Sequence, residues 1–259
     1  RRFSIKDEDP VRITSIGFNY GQKHHVQESI AAGKLCDLLG IERVMISLDW
    51  LYPQLTGAVK THPMLHNAIP MPGMANQRDT VVPQRNMLLT TLAATYAEIH
   101  GYDVIVHGAV QDDYEAYRDC REEFFSILEW TIQAGRKEPI RGEEDICLTK
   151  REPKAIDILV HRPFINWAKA DIVCEMGVQA LLEYYTYSYS CYTGTSIACG
   201  ECPACIERIE AFRTITIIDP QRYVYENLPV QPIEMWKNCT NIQSAEINQH
   251  EKPWTLLQT

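Results

Sequence analysis

The sequence predicts an α/β protein built on a mainly parallel, doubly wound sheet, with a cysteine-rich segment towards its C-terminal end. Three observations carry that prediction. Short apolar segments rich in β-branched residues alternate with longer ones whose apolar positions recur at helical spacing, which is the pattern of repeated β-α units. The short segments are apolar almost throughout, as strands covered on both faces are. Four of the nine cysteines fall between Cys191 and Cys205. The predicted organisation is an α/β domain over residues 1–188, a cysteine segment with its helix over 189–216, and a C-terminal extension over 217–259.

The elements follow in order. Arg1 to Pro10 is charged, without apolar period, and reads as a loop. Val11 to Phe18 is a β-branched strand that runs into the polar turn Asn19-Tyr20-Gly21-Gln22. His24 to Leu39 has apolar residues at Val26, Ile30, Ala31, Leu35, Leu38 and Leu39, helical spacing stopped by Gly40. Arg43 to Leu48 is a second buried strand. Asp49 to Val82 carries Pro53, Pro63, Pro70 and Pro72 and reads as a long functional or irregular loop. After Pro83 a helix through Met87, Leu88, Leu92, Ala93, Tyr96 and Ile99 stops at Gly101, and Asp103 to Gly108 is a third strand. Gln111 to Arg118 reads as a polar loop and Asp119 to Ala134 as a helix, while Gly135 to Lys154 is unpatterned. Ile156 to Val160 is a last strand, followed by helices near Asn166 to Met176 and Val178 to Tyr185.

Composition sets the context. A chain of 259 residues, 45% hydrophobic and 23% charged, is long enough to bury a substantial core. It contains no run of about 18 apolar residues and no secretory pattern, which predicts a cytoplasmic protein without a membrane span. The scattered Cys36, Cys120, Cys147, Cys174 and Cys239 suit a reducing compartment better than a disulfide framework. A net charge of -9 argues against direct nucleic-acid binding and for small substrates.

Cys191, Cys199, Cys202 and Cys205 have the spacing C-x7-C-x2-C-x2-C. Each C-x2-C pair sets two sulfurs on one tight turn, within reach of one ion at about 2.3 Å. Gly200 and Ala204 leave those turns uncrowded. Four thiolates close a tetrahedral shell with no open position, so the expected ion is one structural Zn2+ per chain. A disulfide pair and an iron–sulfur cluster are the competing readings.

In a parallel sheet, ligands bind beyond the carboxyl ends of the strands, and three polar clusters lie at such places. The first is Phe18 to His24, with Tyr20 and Gln22. The second is Pro83-Gln84-Arg85-Asn86, at a helix mouth whose backbone N–H groups favour an anion. The third runs from His107 through Asp113, Tyr114, Asp119 and Arg121. Each has an ordinary reading as well. Gly21 and Gly108 serve either close backbone approach to a ligand or a bare turn; Arg85 is a ligand contact or a surface cation; Asp119 is a ligand contact or an N-cap. His24 and His25 read as a solvated or capping pair, and Tyr184, Tyr185, Tyr187 and Tyr189 as core or interface packing.

Taken together, Phe18 to His24, Pro83 to Asn86, Asp113-Tyr114 with Tyr117 to Arg121, Pro163 to Asp171 including Lys169, and Ser190 to Tyr192 with Cys199 to Phe212 resemble the 7-cyano-7-deazaguanine synthase family, in that family's order. The resemblance implies an adenine-nucleotide alpha hydrolase-like fold, one structural zinc and a homodimer. It also implies an ATP-dependent ligase that takes 7-carboxy-7-deazaguanine and ammonia to the nitrile through adenylated intermediates, with Mg2+ accompanying ATP. On this reading Arg121 and Lys169 are catalytic cations for carboxylate or phosphate. Tyr20, Gln22, Arg85, Asn86, Asp113, Tyr114 and Asp119 bind substrate, the acidic groups by accepting hydrogen bonds from its guanine-like edge.

The chain departs from the family pattern in places. The substrate loop D-Y-S-G-Y-P-D-C-R has Glu115 and Ala116 in place of the small pair and Arg118 in place of proline. That change opens a second reading, an enzyme that stops at the 7-amido product. Residues 217–259, with Trp236 and Trp254, extend past the matched segments. The family's first strand and its S-G-G-x-D-S pyrophosphate loop do not occur in the sequence; the expectation is that they precede Arg1 in the intact protein. A non-catalytic zinc-stabilised binding module that lacks the loop is the alternative.

Overall fold

The computed structural model describes residues 11–50, 82–114, 117–135, 158–179 and 181–224. The predicted N-terminal loop, the proline-rich segment after residue 50, the unpatterned segment after residue 135, Glu115 with Ala116, and the extension beyond residue 224 lie outside the described residues. Contacts divide the chain into two compact units, Arg1–Val81 with Ala168–Thr259, and Val82–Trp167.

In the first unit, β1 (Thr14–Asn19), α1 (His25–Leu39) and β2 (Glu42–Ser47) form the expected β-α-β unit. The two strands pair in parallel with Thr14 opposite Glu42 and Asn19 opposite Ser47. The strand begins three residues later than the sequence suggests, because Val11 and Ile13 are exposed. The face of α1 is also not the one its large residues mark. Val26, Ile30, Leu38 and Leu39 are all exposed, whereas Cys36 is buried. The strand-facing side is the small-residue row Ser29, Gly33 and Cys36. Arg43 of β2 lies across it, donating to Ser29 Oγ at 2.8 Å and placing Nη1 3.2 Å from where a Cβ on Gly33 would stand. A long side chain supplied by the strand leaves room only for small residues on the helix.

The same unit contains α4 (Lys169–Val178), a 3-10 turn at Leu182–Tyr187 and α5 (Pro203–Thr214). The sequence-predicted helix at Val178 to Tyr185 is thus a tighter turn displaced towards Tyr187. Asp171 accepts the Ala168 N–H at 2.9 Å, which satisfies one of the orphan donors at the start of α4. Val173, Leu182, Ala211 and Phe212 form the core between α4 and α5. Tyr185 meets Phe212 edge-on with ring centroids 5.1 Å apart, so this tyrosine is a packing residue as expected.

In the second unit, α2 (Arg85–His100), β3 (Val104–Val106), α3 (Glu122–Gly135) and β4 (Leu159–His161) surround Phe125, Leu128, Ile158 and Val160. β3 and β4 run parallel, with Val104 opposite Leu159 and Val106 opposite His161. The described strands therefore form two parallel pairs. The buried row of α2 is Asn86, Thr90, Ala93, Ala94 and Ala97, while Met87 and Ile99, expected in its apolar stripe, are exposed. Arg162 ties β4 to α3 through both Glu122 oxygens and through Glu129 at 3.3 Å. No helix among the described residues is long and apolar enough to cross a membrane.

Candidate functional site

The four clustered cysteines converge as the spacing predicts. Cys191 approaches from the segment after the Leu182–Tyr187 turn, Cys199 from an irregular loop, Cys202 from the N-cap of α5 and Cys205 from its first turn. Pro203 at the first helical position starts α5 without needing an N–H partner. All four sulfurs lie within 4.8 Å of one another, with Cys191–Cys199 at 3.6 Å and Cys199–Cys205 at 3.9 Å. Sulfurs bound to one ion at 2.3 Å stand about 3.8 Å apart. None of the four forms a disulfide, whose sulfurs would stand about 2.05 Å apart. The separations leave room for a single ion.

Electrostatics point the same way. The Cys199 N–H points to Cys191 Sγ at 3.3 Å and the Cys202 N–H to Cys199 Sγ at 3.3 Å, contacts that favour thiolates. Hydrogen bonds from the Cys202 and Cys205 thiols hold Cys191 far below its ordinary range, while sharing with Cys191 pushes Cys202 up to about 12. Buried thiolates at this distance repel one another, and a bound divalent ion is the group that lets all four ionise. The donor set fits a structural tetrahedral metal. Ala198 and Tyr223 complete the surrounding core, joined by a parallel bridge.

The loop after β1 lies in the same unit. Tyr20 and Gln22 are both buried. The Gln22 amide is engaged by its own loop and by both flanking elements: it accepts the Tyr20 N–H at 2.9 Å and donates to Phe18 O of β1 at 2.9 Å and Glu28 Oε2 of α1 at 3.2 Å. Gly21, at φ +87°, meets no atom within 4 Å of a hypothetical Cβ, so the turn itself requires the glycine. His24 departs from the solvated reading. It occupies the N-cap of α1 but is buried, 3.4 Å from Glu28 and with its ring 5.7 Å from that of Tyr192. His25 keeps a local role, its Nδ1 3.1 Å from Gln22 O.

In the second unit, the mouth of α2 gathers the next cluster. Asp119, in a 3-10 turn before α3, caps a helix other than its own: its carboxylate accepts the Asn86 N–H at 3.3 Å. Asn86 answers with Nδ2 to Asp119 O at 3.1 Å and to Cys120 Sγ at 3.3 Å. The anion favoured at this helix mouth is thus supplied by the protein itself. Arg85 stands over the Tyr117 ring, 5.7 Å from its centroid. Burial, with Arg85 nearby, pushes His107 down to about 4, although Asp119 pulls the other way. The Ala109 N–H points to His107 Nδ1 at 3.2 Å, which leaves the neutral ring its proton on Nε2. Burial, with Asp113 and Asp119 beside it, pushes Cys120 up to about 12, so this thiol is no nucleophile at neutral pH.

The other assigned residues are also placed. Asp113 closes a 3-10 turn whose carbonyl accepts the Tyr117 N–H at 2.8 Å. Tyr114 donates to Ile165 O and lies 3.2 Å from Asn166 Oδ1. Arg121 holds the Tyr114 carbonyl through Nε at 3.3 Å and Nη2 at 2.9 Å. In the first unit, Lys169 sits at the first residue of α4 and is bonded to Glu207 of α5. A cation at a helix start opposes the helix dipole, and Glu207 offsets that cost.

Sequence reading missed one constellation. Arg208 of α5 is buried and forms a forked pair with Asp219, at 2.7 and 2.8 Å, while also donating to Ser188 Oγ at 2.7 Å. Asp219 in turn accepts from Tyr223 OH at 2.5 Å. An Asp-Pro pair five residues beyond a helix end carried no signal of such a contact.

The family model described as "Queuosine biosynthesis protein QueC" matches residues 4–216. Among similar curated proteins is 7-cyano-7-deazaguanine synthase 2 of Colwellia psychrerythraea, 30% identical over 215 residues, covering 82% of this chain and 87% of that one. The 7-cyano-7-deazaguanine synthase of Persephonella marina is 33% identical over 215 residues, covering 81% and 85%. That of Methanospirillum hungatei is 31% identical over 228 residues, covering 85% and 91%. The chain belongs to the family of the queuosine biosynthesis protein QueC.

Proposed function

We propose that the protein is an ATP-dependent ligase that converts 7-carboxy-7-deazaguanine and ammonia to 7-cyano-7-deazaguanine, on the doubly wound architecture that the resemblance implies. The observation that carries this reading is the family match over residues 4–216, which spans every assigned cluster in a chain whose curated relatives bear that enzyme's name. A carboxylate resists attack by ammonia until its oxygen becomes a leaving group. Transfer of the AMP moiety of ATP to the acid, with release of pyrophosphate, provides that group; ammonia then displaces AMP to give the amide. A second adenylation, now of the amide oxygen, allows loss of AMP and a proton to form the nitrile.

Arg121 and Lys169 are the cations assigned to the carboxylate and phosphates, with Mg2+ accompanying ATP. Arg85, Asn86, Asp113, Tyr114 and Asp119 are assigned to the substrate, together with Tyr20 and Gln22 of the loop after β1. Catalysis rests on positioning and charge stabilisation. Cys191, Cys199, Cys202 and Cys205 are assigned one Zn2+, which ties α5 to the preceding segment and takes no part in the reaction. The working form is a cytoplasmic homodimer. One observation favours a second reading, an enzyme that ends at the amide: Glu115, Ala116 and Arg118 replace the small pair and the proline of the substrate loop.

The test is nucleotide analysis with the acid, ammonia and Mg-ATP supplied to the intact protein. Acid-dependent release of AMP and pyrophosphate is expected; ADP and phosphate, or no acid-dependent release, would overturn the reading.

A further inference from the structure

We propose that Gly194 is a positioning residue through which the metal-binding loop sets the conformation of the Tyr20–His24 loop, a role that rests on the assignment of Tyr20 and Gln22 to substrate binding. Gly194 lies between Cys191 and Cys199 at φ +74°. A Cβ there would stand 2.3 Å from the Lys23 carbonyl oxygen, 2.8 Å from its carbon and 3.2 Å from His24 Cα. All three are backbone atoms, so no rotamer change relieves the approach. Beside it, the Tyr192 ring lies 5.7 Å from that of His24. The two loops therefore touch main chain to main chain at a point that only glycine permits.

Both partners are stiff. On one side, Cys191 Sγ, Thr193 Oγ1 and Thr195 Oγ1 form a chain at 3.0 and 2.8 Å, Thr195 donates to Ile197 O at 2.6 Å, and Tyr189 OH donates to Thr195 O at 2.9 Å. On the other, Gln22 is engaged at both ends of its amide, the Gly21 N–H points to Asn19 Oδ1 at 3.0 Å, and the His25 N–H points to Gln22 O at 3.2 Å. A displacement at Lys23 is passed on to Gln22 and Tyr20 rather than absorbed within the loop. The metal loop is thus a template for a substrate-binding segment as well as a brace for α5.

The experiment compares Gly194→Ala with Gly40→Ala in the intact, zinc-loaded protein. Gly40, the C-cap of α1, also has a left-handed φ of +65° but meets nothing within 4 Å. It therefore reports backbone strain without the close approach. Hydrogen–deuterium exchange of residues 18–28, zinc content, and KM and kcat for the acid are measured for both. Gly194→Ala should keep its zinc, exchange faster at residues 20–24, and raise KM about tenfold with little change in kcat, as loss of uniform binding does. Gly40→Ala should leave the exchange at 20–24 and KM unchanged. Wild-type exchange and KM in Gly194→Ala, or equal effects from both substitutions, would overturn the proposal. If Gly194→Ala does not fold or loses its metal, Tyr192→Leu decides: faster exchange at 20–24 with zinc retained supports the role, and unchanged exchange rejects it. Exchange needs no turnover, so faster exchange in a protein whose wild type releases no AMP would sink the ligase reading and leave the positioning role standing.

Discussion

Replacing Arg208 with methionine removes the cation from a nearly dry site and leaves the charge of Asp219 behind. The side chains of the pair are 9% and 7% exposed, and the guanidinium reaches Asp219 through two bonds of 2.7 and 2.8 Å. It also lies over the Tyr185 and Phe212 rings, 5.6 and 5.5 Å from their centroids. After the substitution Asp219 keeps the Tyr223 hydroxyl at 2.5 Å and the Gln221 N–H at 3.0 Å, without the cation that paired with it. Breaking a buried pair from one side costs about 3–5 kcal/mol, which corresponds to a loss of about 10 °C in Tm for a chain of this size. Equilibrium urea unfolding of the zinc-loaded protein, followed by tryptophan fluorescence, measures it. Arg208→Met should lower the unfolding free energy by about 3–5 kcal/mol, and Arg208→Met with Asp219→Asn should recover part of the loss because the stranded charge is gone. An unfolding free energy within about 0.5 kcal/mol of wild type, the usual range for a surface change, or a double variant as weak as the sum of the singles, would refute the argument.

Other outcomes follow from the same structure. Cys202→Ala opens the tetrahedral shell and should reduce zinc from about one per chain and lower solubility, since structural zinc supplies folding free energy; iron with visible cluster absorbance in the wild type would contradict the assignment. His107, held near 4 against an ordinary value of 6.5, stays neutral in the folded state while the unfolded chain takes up a proton. Its contribution is present above pH 6.5 and is lost as the pH falls towards 4, up to about 3 kcal/mol in all. Proton-coupled unfolding between pH 7 and 4 should show this slope in the wild type and a weaker one in His107→Gln. Arg121→Ala and Lys169→Ala should each reduce kcat/KM about a hundredfold or more, the scale of losing one charge-stabilising donor, with zinc content unchanged; near wild-type kcat/KM in either variant removes that residue from its assigned role.

The sequence was most informative where chemistry depends on local spacing. The cysteines of C-x7-C-x2-C-x2-C converge because each C-x2-C turn places its own sulfurs, with little help from distant residues. The β-α-β unit was equally legible, the end of its first strand marked by Asn19 and the end of its helix by Gly40. Faces were harder to read. On α1 the strand-facing row is Ser29, Gly33 and Cys36, on α2 the buried row is Asn86, Thr90, Ala93, Ala94 and Ala97, and large residues such as Ile30 and Ile99 point outward. A hydrophobic period marks large side chains, but a helix packed closely on a strand, or under an arginine such as Arg43, needs small ones. Contacts between residues far apart in the chain were least legible. Asp119 caps α2 across 33 positions and Asp219 pairs with Arg208 beyond the end of its helix. His24 reads from the sequence as one of a solvated or capping pair; it holds the N-cap of α1, and its burial was illegible because nothing adjacent to it announces Tyr192.

The most direct measurement of the central claim is the mass of the purine product made by the intact protein from 7-carboxy-7-deazaguanine, ammonia and Mg-ATP. The account predicts a product equal to the acid plus ammonia less two waters, the nitrile. A product that has lost only one water would place the enzyme at the amide. Unchanged acid, from protein that holds its zinc and is folded, would contradict the account.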